Sequence, residues 1–124
     1  MNGKEILADT NILLYLLKGD ATIAGWLQNK KVFISFITEL ELLGYDKITA
    51  KEEVQIKELL RDCHLIALNN EIKEIYIHLK RRYSLKLADC IIAASAIFLN
   101  IPLITADKQI SSAEELEVLL YEKG

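Results

Sequence analysis

Asp89 is the carboxylate hardest to place in this sequence. It sits in LKLADCIIAASAIFL, with Leu85, Leu87, Ile92, Ala93 and Ala96 around it at helical spacing. A helix that is apolar nearly all round is buried, so a carboxylate near its start lies in or beside the core. A charge there needs a cationic partner, a metal or a raised pKa. The partner could be Lys86, Arg81 or Arg82, or the start of the helix itself could stabilise the acid. Asp9, in ADTNILLYLL, and Asp107, in LITADKQ, each follow a short apolar run, where Asp also serves as a helix cap or turn residue. Glu41 lies in SFITELELLG beside Glu39, and Gly44, three residues on, leaves open space on the same helical face. His64 and His78 lack a Ser, Cys or metal-spaced partner and read as structural or surface residues. Lys80, Arg81, Arg82 and Lys86 form the densest basic run, either a solvated face or the approach to Asp89.

The elements that would position these side chains alternate between strand and helix. EILA, residues 5–8, is a short buried strand, and Asp9 begins a turn into the helix ILLYLLKG, which Gly19 stops. A second helix covers Ala21 to Gln28. Val32 to Phe36 is rich in β-branched and aromatic residues and reads as a strand. Thr38 then caps a helix to about Tyr45, with Glu41 in the capping-box position. Thr49 caps another, with Glu52 and Glu53 in its first turn and Arg61 at its end. His64 to Leu68 is a strand, followed by helices over about Glu71–Tyr83 and Leu87–Leu99. Strands at Pro102–Ala106 and Glu117–Tyr121 complete the pattern. This alternation predicts an α/β domain with a mostly parallel central sheet and helices on both faces. Ligands in such sheets bind beyond the carboxyl ends of the strands, where Asp9 and Asp107 fall.

The chain has 124 residues, 52% hydrophobic and 27% charged, with five Gly and one Pro. That is the size and balance of one globular domain, residues 1–124, with little room for linkers. The formal net charge of −3 argues against a general nucleic-acid binder, because phosphate neutralisation needs Lys and Arg. Cys63 and Cys90 make neither a disulfide framework nor a metal-spacing motif, and read as reduced, packed thiols of a cytoplasmic protein. The apolar run from Cys90 to Ala106 is interrupted by Ser95, Asn100 and Pro102, so no membrane span is expected.

ADTNILLYLL, SFITELELLG, LKLADCIIAASA and LITADK, in that order, resemble the ordered motifs of PIN domains, and more narrowly the VapC toxins of VapBC toxin–antitoxin modules. The resemblance spans nearly the whole chain and implies a three-layer α/β/α fold. It selects Glu41 over Glu39 and implies Asp9, Glu41, Asp89 and Asp107 as an acidic quartet, catalytic and metal-ligating. Thr10, Asn11 and Thr105 match neighbouring polar positions that orient carboxylates or water. Family members often carry an aromatic shortly after the fourth acid, where Lys108, Gln109 and Ile110 stand here.

Four converging carboxylates repel one another and need cations to stay ionised. Oxygen-only ligands suit Mg²⁺ or Mn²⁺, which also bind substrate phosphate. The implied reaction is in-line attack by metal-activated water on an RNA phosphodiester, leaving a 5′-phosphate and a 3′-hydroxyl. The ions and a few local Lys and Arg residues would meet the substrate, which answers the objection from net charge. The resemblance further implies a homodimer and a small VapB-type antitoxin as partners. Two other readings compete. One is a catalytically silent PIN-like protein-association module. The other is an aspartyl phosphatase or phosphoacceptor domain; its haloacid-dehalogenase type wants a second Asp where Asn11 stands.

Overall fold

The computed structural model describes residues 4–122. Five strands form one all-parallel sheet: β1 (Glu5–Ala8), β2 (Lys31–Ser35), β3 (His64–Ile66), β4 (Leu103–Thr105) and β5 (Val118–Leu120), in the order β3-β2-β1-β4-β5. The helices are α1 (Thr10–Leu17), α2 (Ala21–Leu27), α3 (Phe36–Leu43), α4 (Ala50–Arg61), α5 (Asn70–Arg82), α6 (Leu87–Leu99) and the single turn α7 (Lys108–Ser111).

Strand alternation divides the core in two. Successive strand residues point to opposite faces, and in β1 Ile6 and Ala8 join a cluster with Ile12, Leu13, Ile23, Leu27, Leu42 and Ile56, while Leu7 joins Ile72, Leu79, Ile92 and Ile110. In β4, Ile104 and Leu103 divide the same way. So α1 to α4 cover one face and α5 to α7 the other, the expected three layers. Helix α6 packs flush because Ala93, Ala94 and Ala96 bring its backbone close to its neighbours. It ends at Asn100, whose left-handed φ of 55° lets its N–H and that of Ile101 turn back onto the last carbonyls before Pro102 opens β4.

Two sequence expectations are corrected at α3. Ser35, not Thr38, is its N-cap, accepting from the Ile37 N–H, so the helix starts directly at the end of β2. Thr38 is fully buried inside the helix, and Glu41 is in its second turn rather than in a capping box. Gly44 does not open room for a ligand either. A Cβ there would stand 2.5 Å from the Leu40 carbonyl oxygen, so close backbone approach accounts for the glycine. The capping box at Thr49 and Glu52 forms as expected. Leu87 is 59% exposed rather than packed around Asp89. Among the described residues no helix is long and apolar enough to cross a membrane.

Candidate active site

The strand order reverses direction between β1 and β4, and a parallel sheet opens a crevice at such a switch point, beyond the carboxyl ends of the strands. Asp9 follows β1 and Asp107 lies two residues past β4, so the two acids flank that crevice. The adjacent strands are stitched there by the Asp9 N–H, which donates to the Ile104 carbonyl at 3.2 Å.

Asp9 is 4% exposed. Its Oδ1 accepts from the Ile12 N–H at 3.0 Å, capping α1, and its Oδ2 accepts from the Thr105 hydroxyl. The same Thr105 oxygen accepts the Asp107 N–H at 3.0 Å, so one hydroxyl on β4 ties the two acids' segments together. Asp107 caps α7 through the Gln109 N–H at 2.8 Å. Both therefore do the capping that their residue type allows, and capping leaves lone pairs open on each carboxylate.

Asp89 enters from α6, in its first turn, half-buried. No ion pair to it forms among the described residues, so the salt-bridge explanation offered by sequence does not hold. Arg82 pairs with Glu114 and Glu115, and Lys80 Nζ donates to the Leu85 carbonyl. Of that basic run, Lys86 acts on Asp89, lowering its pKa only as a lesser influence. Burial raises the Asp89 carboxyl above its ordinary value, and the neighbouring Asp107 and Glu41 add to the rise. The Asp9 carboxyl is likewise raised, first by burial and then by Asp89 and Asp107, against the lowering effect of its Thr105 and Ile12 hydrogen bonds.

Glu41 projects from α3, exposed, with Oε1 accepting the Thr10 hydroxyl at 2.6 Å. Thr10 Oγ1 also lies 3.1 Å from Thr38 Oγ1. Thr38 is the polar residue that sequence reading missed as part of this cluster. The signal was its place three residues before Glu41, one turn back on the same helical face. Asn11 is exposed on α1 and stands apart from this network.

The crevice thus gathers Asp9, Asp89 and Asp107 within electrostatic reach of one another, with Glu41 acting on Asp89. The donor set is oxygen alone, two of its acids are held above their ordinary range, and among the described residues neither of those two has a cationic side chain bound. That chemistry fits a hard divalent cation. The acids do not form a closed cage: among the described residues no group of three or more His, Cys, Asp or Glu stands ready to hold a metal ion.

A sequence model of the PIN domain matches residues 6–116. A protein of Rickettsia bellii (strain RML369-C) named Ribonuclease VapC is 29% identical over 128 aligned positions, which span 92% of this chain and 94% of that protein. A toxin–antitoxin complex from Klebsiella pneumoniae contains a chain 31% identical, with a TM-score of 0.81 over 95% of this chain and 99% of that one. VapBC2 from Rickettsia felis, solved with a DNA fragment from its promoter, shares the fold with a TM-score of 0.83 at 20% identity, over 95% of this chain and 99% of its own. The motifs, the three layers and a match over nearly the whole length agree: the chain belongs to the PIN domain family.

Proposed function

We propose that this chain is a Mg²⁺- or Mn²⁺-dependent endoribonuclease, the toxin of a type II toxin–antitoxin module, acting in the cytoplasm as a homodimer held in check by a small VapB-type antitoxin. The observation that carries the chemistry is the pair Asp9 and Asp89, buried or half-buried, raised by burial and by neighbouring carboxylates, and lacking a bound cationic side chain among the described residues. The relatives named VapC and VapBC support the biological setting.

In this reading Asp9, Asp89, Glu41 and Asp107 hold the cation. When bound, it supplies Lewis acidity for a phosphate oxygen and acidifies water. The chain's own part is to fix the carboxylates. Thr105 and the α1 N-terminus orient Asp9, Thr10 orients Glu41, and the first turn of α7 orients Asp107. No Ser or His nucleophile is required, in keeping with His64 and His78 lying outside the crevice: His64 packs at a tilt against Phe33 and His78 meets Glu115.

The test is cleavage of a structured RNA pool by purified protein with Mg²⁺ or Mn²⁺, comparing wild type with Asp9→Asn and Asp89→Asn. Each variant should lose activity by on the order of 10²–10³-fold, as when one preorganised electrostatic contact to the reacting centre is removed. Activity that persists in both variants would place the chemistry elsewhere. A second reading, a silent association module, draws on the lack of a ready-made cage. A well-folded wild type inactive on several RNAs in both metals would favour it.

A further inference from the structure

We infer that Thr38 is a positioning residue for this site: its buried hydroxyl donates to Thr10, fixing the Thr10 hydroxyl so that it holds the Glu41 carboxylate in place. The inference rests on the nuclease reading for its purpose, though the relay itself is a matter of hydrogen-bond direction. Thr10 Oγ1 has two oxygen neighbours, Glu41 Oε1 at 2.6 Å and Thr38 Oγ1 at 3.1 Å. A hydroxyl carries one proton, and a carboxylate only accepts. The Thr10 proton therefore goes to Glu41, over the shorter contact, and the hydroxyl–hydroxyl contact is left to Thr38 as donor.

Thr38 has little alternative. It is 0% exposed, so its proton does not go to bulk water, and among the described residues Thr10 is its hydrogen-bond partner. The result is a directed chain from inside α3, across to the first residue of α1, and back to the second turn of α3. Each donor in such a chain strengthens the next. The mechanical consequence falls on Glu41, a long exposed side chain with rotamer freedom to lose. With Thr38 in place, Thr10 has one satisfied orientation. Without it, the half-buried Thr10 hydroxyl can turn to solvent and release Glu41. Because Thr10 directly follows Asp9, the relay also links Asp9, the cap of α1, to Glu41 on α3.

The variants are Thr38→Val, which keeps the shape and removes the hydroxyl, Thr38→Ser, which keeps the hydroxyl, Thr10→Val, and the double Thr10→Val/Thr38→Val. The metal-free readout is the side-chain carboxyl ¹³C resonance of Glu41. It should move in Thr38→Val toward its position in Thr10→Val and stay near wild type in Thr38→Ser. Calorimetry with Mn²⁺ alone should show binding weakened about 10-fold in Thr38→Val, the size of a lost ligand-orienting contact. The double variant should match Thr10→Val in both readouts. A folded Thr38→Val with an unmoved Glu41 resonance, or additive effects in the double variant, overturns the relay. The wild-type Thr38 hydroxyl proton needs no variant: it should exchange slowly and show contacts to the Thr10 side chain. Fast exchange, or contacts only to the preceding turn of α3, also overturns it. If wild type neither binds Mn²⁺ nor cleaves RNA, the nuclease reading fails, and the Glu41 resonance still decides the relay.

Discussion

Two corners of this molecule treat carboxylates in opposite ways. Glu115, in the turn before β5, is completed by the protein. The Tyr83 hydroxyl donates to it at 2.6 Å, Arg82 Nη1 at 2.9 Å, and His78 Nε2 lies 2.9 Å away. Chiefly through the Tyr83 hydroxyl, its carboxyl is pulled down to about 2. Tyr83 in turn accepts the Glu114 N–H at 3.0 Å, so the end of α5 is knotted to the segment leading into β5. At the crevice, Asp9 and Asp89 are raised instead, first by burial and then by neighbouring carboxylates, Asp89 and Asp107 for Asp9, Asp107 and Glu41 for Asp89. The fold can evidently satisfy a carboxylate from three side chains. At the mouth of β1 and β4 it collects acids and leaves them short of positive charge. A local rule broken with only partial compensation inside the chain points to something supplied from outside.

The largest expected effect tests that contrast directly. In thermal unfolding, excess Mg²⁺ or Mn²⁺ should stabilise the wild type. Metal at about a hundred times its dissociation constant contributes roughly 2.7 kcal/mol. Asp89→Asn should lose most of that gain, and Glu115→Gln should keep it. Equal stabilisation of all three proteins would mean that the cation binds somewhere other than the crevice.

A smaller effect should appear without metal. A carboxyl whose folded pKa is raised adds a cost to folding as pH climbs through that value, while a neutral amide does not. At pH 7 in a chelator, Asp89→Asn should therefore be more stable than wild type, by up to about 1.4 kcal/mol for each unit of rise removed. A loss of stability in urea unfolding would show that Asp89 is already compensated within the chain, and the contrast with Glu115 would collapse.

How much of this was legible beforehand depends on how local each signal is. Helix α6 was read with both its bounds, because a mostly apolar run ends at Asn100 and Pro102, and Thr49 with Glu52 forms a cap within four residues. At α3 two capping residues competed. Ser35 and Thr38 are equally suited by type, and Phe36 and Ile37 look like more strand, so only the turn directly out of β2 decides. The single turn α7 is too short for any periodicity to register. That Asp9 and Asp107 end strands could be seen in their local runs. That those strands are neighbours is a long-range pairing, and the motif order stood in for it. Of the Thr38–Thr10–Glu41 chain only the Thr38–Glu41 spacing was legible, since Thr10 lies 28 residues from Thr38, and the Glu115 knot was not, since its side chains lie 32–37 residues apart.

The smallest effect belongs to the corner that the protein completes. Glu115→Gln keeps the shape and weakens three contacts, at least one of them to a charged group, at a partly exposed site where solvent screening limits the loss. The variant should be less stable than wild type by about 0.5–1 kcal/mol at neutral pH. The pH dependence has a fixed sign. Because the folded carboxyl sits near 2 against an ordinary 4.5, its contribution is present above 4.5 and is lost as pH falls from there toward 2. Urea unfolding of the two proteins at a series of pH values should show their difference shrinking across that window. A gap that instead persists unchanged down to pH 2 would assign the role of Glu115 to packing, and would leave the crevice, of these two corners, as the one where carboxylate charge sets stability.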